Sequence, residues 1–305
     1  GEESFSNRVA QFTNKPSQPS FHYLSTATHT LGSEIEVKLY TDGAAVVEGY
    51  DIERLGPYEN TFEYLNTIDY TGVNTYSYYD SDVFPERGPY SYKINLIDSC
   101  GKVGETTNIA TTSFLTAEVN DDEMLVTLGW TAYEGFDGDI VQYNVYRGIN
   151  GVFGKAPVGT TAPGTRTYVD DVNDYFDSEG QFCYRVEAVE QVNSYGFSET
   201  SFSNTACVTL EPIVYIPNAF MLNGINNVFL PVVNLYDYST YDLTIFDRWG
   251  GQVFNTTDPN EGWRGLNETH GGYHEEGVYV YFLRIEDRNG VDYEYRGTVT
   301  FLVAE

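Results

Sequence analysis

Positive charge is scarce in this sequence. Sixteen Lys and Arg stand against 45 Asp and Glu, and 16 − 45 gives a formal net charge of −29. A chain this acidic repels phosphate, which excludes nucleic acid as a partner and excludes a polybasic hold on anionic lipid. Histidine and cysteine are scarce too, with four and three among 305 residues. Few parts are left for a metal centre or a nucleophilic dyad, so neither a metal nor a cofactor is expected. No apolar run reaches the roughly 18 residues of a membrane-crossing helix, so no direct membrane span is expected. A phosphate loop, a nucleophile elbow and a dinucleotide fingerprint are all missing, and no enzymatic activity is expected. The sequence opens Gly1-Glu2-Glu3, without Met and without a charged-then-apolar leader, and so reads as a mature or trimmed fragment.

What is abundant points to strands. There are 27 Tyr, 18 Phe and 29 Gly, with many Thr, Val and Asn, a mixture that favours strands and turns over helices. The aromatic content is enough to build cores, so the acidity does not imply disorder. At roughly 100–200 residues per domain, the length suggests two or three domains. Residues 1–20 are polar, carry Pro16 and Pro19, and read as a linker or the remnant of an upstream domain.

Two stretches then repeat each other. Ile35, Val37 and Leu39 alternate with polar residues, as Val126, Leu128 and Trp130 do later. Tyr50–Arg54 is answered by Tyr143–Arg147 at an offset of 93, and Asp82-Val83 by Asp171-Val172 at 89. Tyr92–Leu96 is answered by Tyr184–Ala188 at 92, and Asn108–Thr112 by Asn204–Val208 at 96. Five collinear matches at a near-constant offset indicate a tandem repeat of β-sandwich size. On these residues, both units resemble fibronectin type III domains, the first more weakly because Leu39-Tyr40 stands in the Trp place. Trp130 and Tyr184 are read as core, with the tyrosine hydroxyl finding a backbone partner. The expected boundaries are 21–116, 117–211 and 212–305.

The last segment has a different pattern. Strand-like runs are punctuated by Asn223-Gly224, by Arg248-Trp249-Gly250-Gly251 and by Asn289-Gly290, the last expected to close a hairpin. Val278, Val280 and Phe282 alternate with Tyr279, Tyr281 and Leu283. Neither face is polar, so the strand is central or one face is an interface.

The segment also carries uncommon strings in a fixed order. They are Tyr215-Ile-Pro217-Asn218-Ala-Phe220, then Ile225-Asn226-Asn-Val-Phe229, then Tyr241 to Arg248-Trp249-Gly250. Gly262-Trp263, Gly277-Val-Tyr279-Val-Tyr281 and Gly297–Thr300 complete the series. It closely resembles the gliding-motility-associated C-terminal domain, the type B sorting domain of type IX secretion. The resemblance implies an all-β protein, two sandwiches and a C-terminal sorting sandwich. It implies export across the outer membrane to the cell surface or beyond. The implied partners are type IX translocon components and a PorP/SprF-type outer-membrane β-barrel, and the implied setting is a surface adhesin of the gliding-motility kind. Tyr279, Tyr281 and Phe301 are the candidate partner contacts, set against their plainer reading as core. Trp249, Trp263 and Gly250 are read as core and turn residues. The family's aspartate-bearing loop is replaced here by Met221–Asn227, with Asn223 and Gly224 at its turn. The hard carboxylate ligands of a Ca²⁺ site are missing, which leaves open whether the Asn223–Asn227 loop holds a cation. Arg264 also stands where the family usually has Asp.

Other constellations read as ordinary surface. His270 and His274 are four apart, but Gly271 and Gly272 between them argue against the helix a metal pair would need. The acidic run Asp170–Asp174, with Asp177 and Glu179, does not fit a calcium loop and reads as a solvated turn. Cys183 and Cys207 lie symmetrically about Tyr195, so a hairpin there would pair them as a disulfide, leaving Cys100 over. A second functional reading is a carbohydrate-binding or accessory module of a secreted hydrolase. The charge divides as 11 − 31 = −20 up to residue 210 and 5 − 14 = −9 beyond it, so it marks no single site. Such a coat keeps a protein soluble during export.

Overall fold

The computed structural model describes residues 19–267 and 269–303. The segment expected as a linker therefore lies, up to residue 18, outside the described residues. The architecture is all-β. Regular structure among the described residues is strand, with 3₁₀ turns at Pro85–Arg87, Asn173–Tyr175 and Tyr238–Thr240. The described residues form two compact units. One runs to Phe114 and includes Thr131–Gln142 and Glu187–Asn204; the other holds Leu115–Trp130, Tyr143–Val186 and the chain from Thr205 on.

The first unit is built on two sheets. His22–His29, Ile35–Thr41 and Thr75–Asp80 form one; Glu63–Asp69, Val47–Leu55, Ser91–Asp98 and Val103–Thr106 form the other, with Ala110–Thr111 also on Ser91–Asp98. The alternation seen in the sequence directs Ile35, Val37 and Leu39 inward, where they meet Tyr50, Ile52, Tyr92 and Ile94 in a dry core. Asp80 is buried in that core. It accepts from Arg54 Nη1 at 2.9 Å and from the Tyr92 hydroxyl at 2.8 Å. A buried carboxylate is tolerable only when paired and hydrogen-bonded in this way. Burial, then Asp80, pushes the Tyr92 hydroxyl pKa well up. An aromatic cluster of Phe21, Tyr23, Tyr40, Tyr195 and Phe197 completes the unit, with Tyr23 and Tyr195 stacked at 5.0 Å.

The second unit repeats the device. Leu125–Trp130 lies between Leu115–Asn120 and Thr167–Asp171, and Trp130 meets Tyr143 edge-on at 5.7 Å. Asp170 accepts from Arg147 Nη1 and from the Tyr184 hydroxyl, both at 2.8 Å. Arg54/Arg147, Asp80/Asp170 and Tyr92/Tyr184 are thus one triad used twice, at offsets of 93, 90 and 92. The triad aspartates Asp80 and Asp170 are distinct from the matched strings Asp82-Val83 and Asp171-Val172, in each of which the Asp is exposed and the Val buried. One expectation is corrected: the tyrosine hydroxyls reach the triad carboxylates rather than the backbone. Cys183 and Cys207 are direct register partners and are joined by a disulfide. Cys100 is exposed and free.

The C-terminal part of this unit has its own core. A five-stranded sheet runs Ala219–Met221, Asp292–Leu302, Gly277–Glu286, Asp242–Phe246, Gln252–Thr256, beside a two-stranded ribbon of Ile213–Tyr215 and Val232–Asn234. The central hairpin closes through Asp287–Gly290, and the short first strand pairs parallel to the last. Phe220, Phe229, Tyr241, Trp263 and Phe301 fill one side of the sheet. Arg288 reaches Glu179 and Asp237, and the Tyr238 hydroxyl donates to the Asp177 carbonyl; within the acidic run Asp170 is buried in the triad, while Asp171, Asp174 and Asp177 are exposed.

Candidate recognition surface of the C-terminal domain

The strand Asp242–Phe246 turns back into Gln252–Thr256 over five residues, and one aspartate organises the turn. Asp247 Oδ1 accepts from the backbone N–H of Trp249 and of Gly251, both at 2.8 Å. The Asp247 N–H donates to the Gly251 carbonyl at 2.8 Å. Gly250 takes a positive φ of 83°, a conformation that costs a side-chain-bearing residue energy. The turn is therefore rigid, and it holds Trp249 in water at 87% exposure. The expectation that Trp249 is core is corrected: a tight turn at a sheet end has no layer above it. Trp263 is core, 1% exposed, with Phe220 at 5.3 Å and Tyr279 at 4.6 Å around its ring.

Pleating decides the fate of the other aromatics. Tyr279 and Phe301 point inward, at 6% and 0% exposure. Neither can meet a partner while the domain is folded, which corrects their reading as contacts. Tyr281 is half-buried against Phe229 at 5.4 Å. Phe220 and Phe229 are core, and the Asn218 carbonyl, just after Pro217, accepts from Thr300 N–H. Asn223, Gly224 and Asn226 form a closed turn, with Met221 N–H donating to the Asn226 carbonyl at 2.8 Å. Among the described residues, no three His, Cys, Asp or Glu are grouped to hold a metal. His270 and His274 share no site. His274 packs 5.9 Å from Trp263 and its pKa is lowered by burial, with Asp247 acting against that, while His270 is exposed in a turn held by Asn267.

The outward row of the Gly277–Glu286 strand is apolar as well. Val278 is 50% and Phe282 46% exposed, with half-buried Val280 between them. Phe282 meets Phe246 edge-on at 5.7 Å. Arg248 lies against Gly277, where an added Cβ would come within 3.0 Å of its Nη2. A groove beside the turn is lined by Arg248, Trp249, His274, Glu275 and Val278. A rigid, exposed indole is a side chain suited to contact with another surface.

Residues 214–301 match the family model of the CHU_C type IX secretion signal domain. No curated protein matches the chain. Three solved structures resemble it weakly. A tetra-tandem repeat from the extending region of a large adhesion protein shares 15% identity, over 92% of this chain and 74% of that one, with a TM-score of 0.34. The FN1–FN3 domains of chicken CNTN1 share 14%, over 95% and 100%, with a TM-score of 0.22. A Ca²⁺-stabilised adhesin that helps an Antarctic bacterium reach out and bind ice shares 15%, over 89% and 69%, with a TM-score of 0.21.

Proposed function

We propose that this chain, which carries a type IX secretion signal at residues 214–301, is a non-enzymatic region that directs export and surface display. A type IX signal sends its protein across the outer membrane, to the cell surface or the extracellular space. In this reading the translocon recognises the C-terminal domain as a folded object, and a PorP/SprF-type β-barrel then retains the exported protein at the surface. The protein it serves is an adhesin of the gliding-motility kind. The family match carries the export reading. The turn that Asp247 builds, which holds Trp249 in water, supports a recognition role.

The test fuses a leader and a fluorescent reporter ahead of the full chain, in a host with type IX secretion. Reporter on the cell surface or in the medium is the expected result. Reporter confined to the periplasm overturns the export reading. Deleting the barrel should shift reporter from cells to medium; surface reporter that persists without it removes the barrel from the account.

A further inference from the structure

A sheet edge presents a row of backbone N–H and C=O groups that another strand can take up, and proteins guard such edges. Among the described residues, most edge strands of five residues or more are guarded by charge. Glu63–Asp69, Thr75–Asp80, Leu115–Asn120 and Thr167–Asp171 each carry Asp or Glu. His22–His29 carries neither, but side chains of its own unit occupy its edge. Asn108 pairs with the Leu24 N–H and carbonyl at 2.9 and 3.1 Å. The Tyr133 hydroxyl accepts from the Ala27 N–H at 3.1 Å, and the Ser201 hydroxyl donates to the Ala27 carbonyl at 2.7 Å.

One edge has neither guard. Gln252–Thr256 closes one side of the C-terminal sheet and reads Gln-Val-Phe-Asn-Thr, without charge, Pro or Gly. Its inner side pairs with Asp242–Phe246, and the one shift in register lies at the turn end and leaves Phe254–Thr256 regular. Among the described residues, no hydrogen bond reaches the backbone of Val253, Phe254 or Asn255 from the outer side. A groove is lined by these three residues and, from the segment beyond, by Gly262, Arg264 and Leu266. Successive side chains of a strand point to opposite faces, so three in a row line one groove only where its wall is the strand's edge. The segment beyond is held by a different pairing: Trp263 exchanges both backbone bonds with Phe229, at 2.9 and 2.8 Å.

The complement of an open strand edge is another strand. Five residues at about 3.3 Å each offer an edge roughly 16 Å long, and a small ligand would leave most of that row unpaired. Charge disfavours a second copy of this chain, because five cations stand against 14 acids from residue 211 on, and two such domains repel.

We propose that the Gln252–Thr256 edge takes up an extended, non-acidic segment of a partner protein as a sixth strand of the sheet. The inference rests on the export reading, in that the partner belongs to the export or attachment machinery.

The test uses the full-chain reporter fusion in the type IX host. Val253→Lys with Asn255→Lys gives this edge the kind of guard the others have. It should lower surface and medium reporter at least tenfold, with the purified protein keeping the parent melting temperature. Val253→Thr with Asn255→Thr leaves the edge uncharged and should retain export. Phe254→Pro and Asn255→Pro test the backbone itself. Neighbouring residues aim their N–H groups to opposite sides of a strand, so one variant breaks a bond within the sheet and the other removes an outer donor, which an edge tolerates. The variant that keeps the parent melting temperature should also lose export at least tenfold. Parent reporter that stays in the periplasm overturns the export reading and this inference together. Parent reporter exported, with the folded lysine or folded proline variant exported equally well, overturns this inference alone. A parent dimer that the lysine variant loses in sedimentation, with export unchanged, assigns the edge to a second copy and also overturns it.

Discussion

The two sandwiches close the same strand pair with different bonds. In the first, Tyr92 pairs with Ala110 and, next to it, the Ser91 and Thr111 hydroxyls meet at 2.8 Å. In the second, Tyr184 pairs with Ala206 and, next to it, Cys183 and Cys207 are joined by a disulfide. The register is the same with and without the covalent link. The disulfide therefore clamps a pairing that the rest of the sandwich already specifies. What both sandwiches keep is the buried Arg–Asp–Tyr triad, which ties one sheet to the other in each.

That division of labour predicts the largest effect at the triad. Asp80→Ala and Asp170→Ala each strand a nearly buried guanidinium and an unpaired tyrosine hydroxyl. Each should cost about 3–5 kcal/mol, read from urea unfolding. Similar losses in the two sandwiches support a shared determinant. A loss at Asp170 below about 1 kcal/mol would mean that the disulfide substitutes for the triad.

The clamp itself comes next. Cys183→Ser with Cys207→Thr turns the second sandwich into the first at this position. The bridge closes a separation of 24 residues, and losing it should cost roughly 3 kcal/mol. Ser91→Cys with Thr111→Cys should add a similar amount to the first sandwich. A double variant as stable as the parent would show that the hydroxyl pair is an equal substitute.

Acid should separate the two sandwiches further. Burial lowers the His22 pKa to about 4, with a hydrogen bond to the Ile94 carbonyl acting against it. The unfolded chain takes up this proton near pH 6.5, while the folded one does not until about pH 4. The stability tied to neutral His22 is complete above about pH 6.5 and is lost as pH falls towards 4. The loss should be about 3 kcal/mol. The second sandwich has no histidine, so His22→Gln should remove this acid dependence from the first unit alone. An unchanged pH profile in that variant would refute the assignment.

Much of the fold was legible because strands of a repeat keep their order. The offsets of 93, 92 and 96 located Tyr50–Arg54, Tyr92–Leu96 and Asn108–Thr112 in corresponding strands. The triad was half legible. Its Arg and Tyr stood out by alternation, but Asp80 and Asp170 looked like any acid in an acidic chain, and only burial tells them apart. The recognition surface was the least legible. A strand apolar on both faces gives no in–out signal, so Tyr279 could not be told from Val278 or Phe282 by pattern. Trp249 and Trp263 differ by local chemistry: Asp247 before Trp249, with Gly250 and Gly251 after it, is turn composition. That signal was on the page and pointed outward.

The smallest expected effect concerns the triad's surroundings. The Arg147 guanidinium lies 4.2 Å over the Tyr175 ring and donates to its hydroxyl at 2.6 Å. Arg54 lies 5.8 Å from the Tyr90 ring and donates instead to the Asp82 carbonyl at 2.7 Å. Lysine keeps the charge that each aspartate needs but cannot present a planar face to a ring. Both Arg→Lys changes lose a forked donor, and only the second sandwich also loses a close stack. Stacking of a cation on a ring contributes about 0.5–1 kcal/mol at partly exposed sites. Arg147→Lys should therefore cost about 0.5 kcal/mol more than Arg54→Lys in paired unfolding measurements. Equal losses would mean that the ring beneath Arg147 adds nothing, and that the two triads differ in geometry but not in strength.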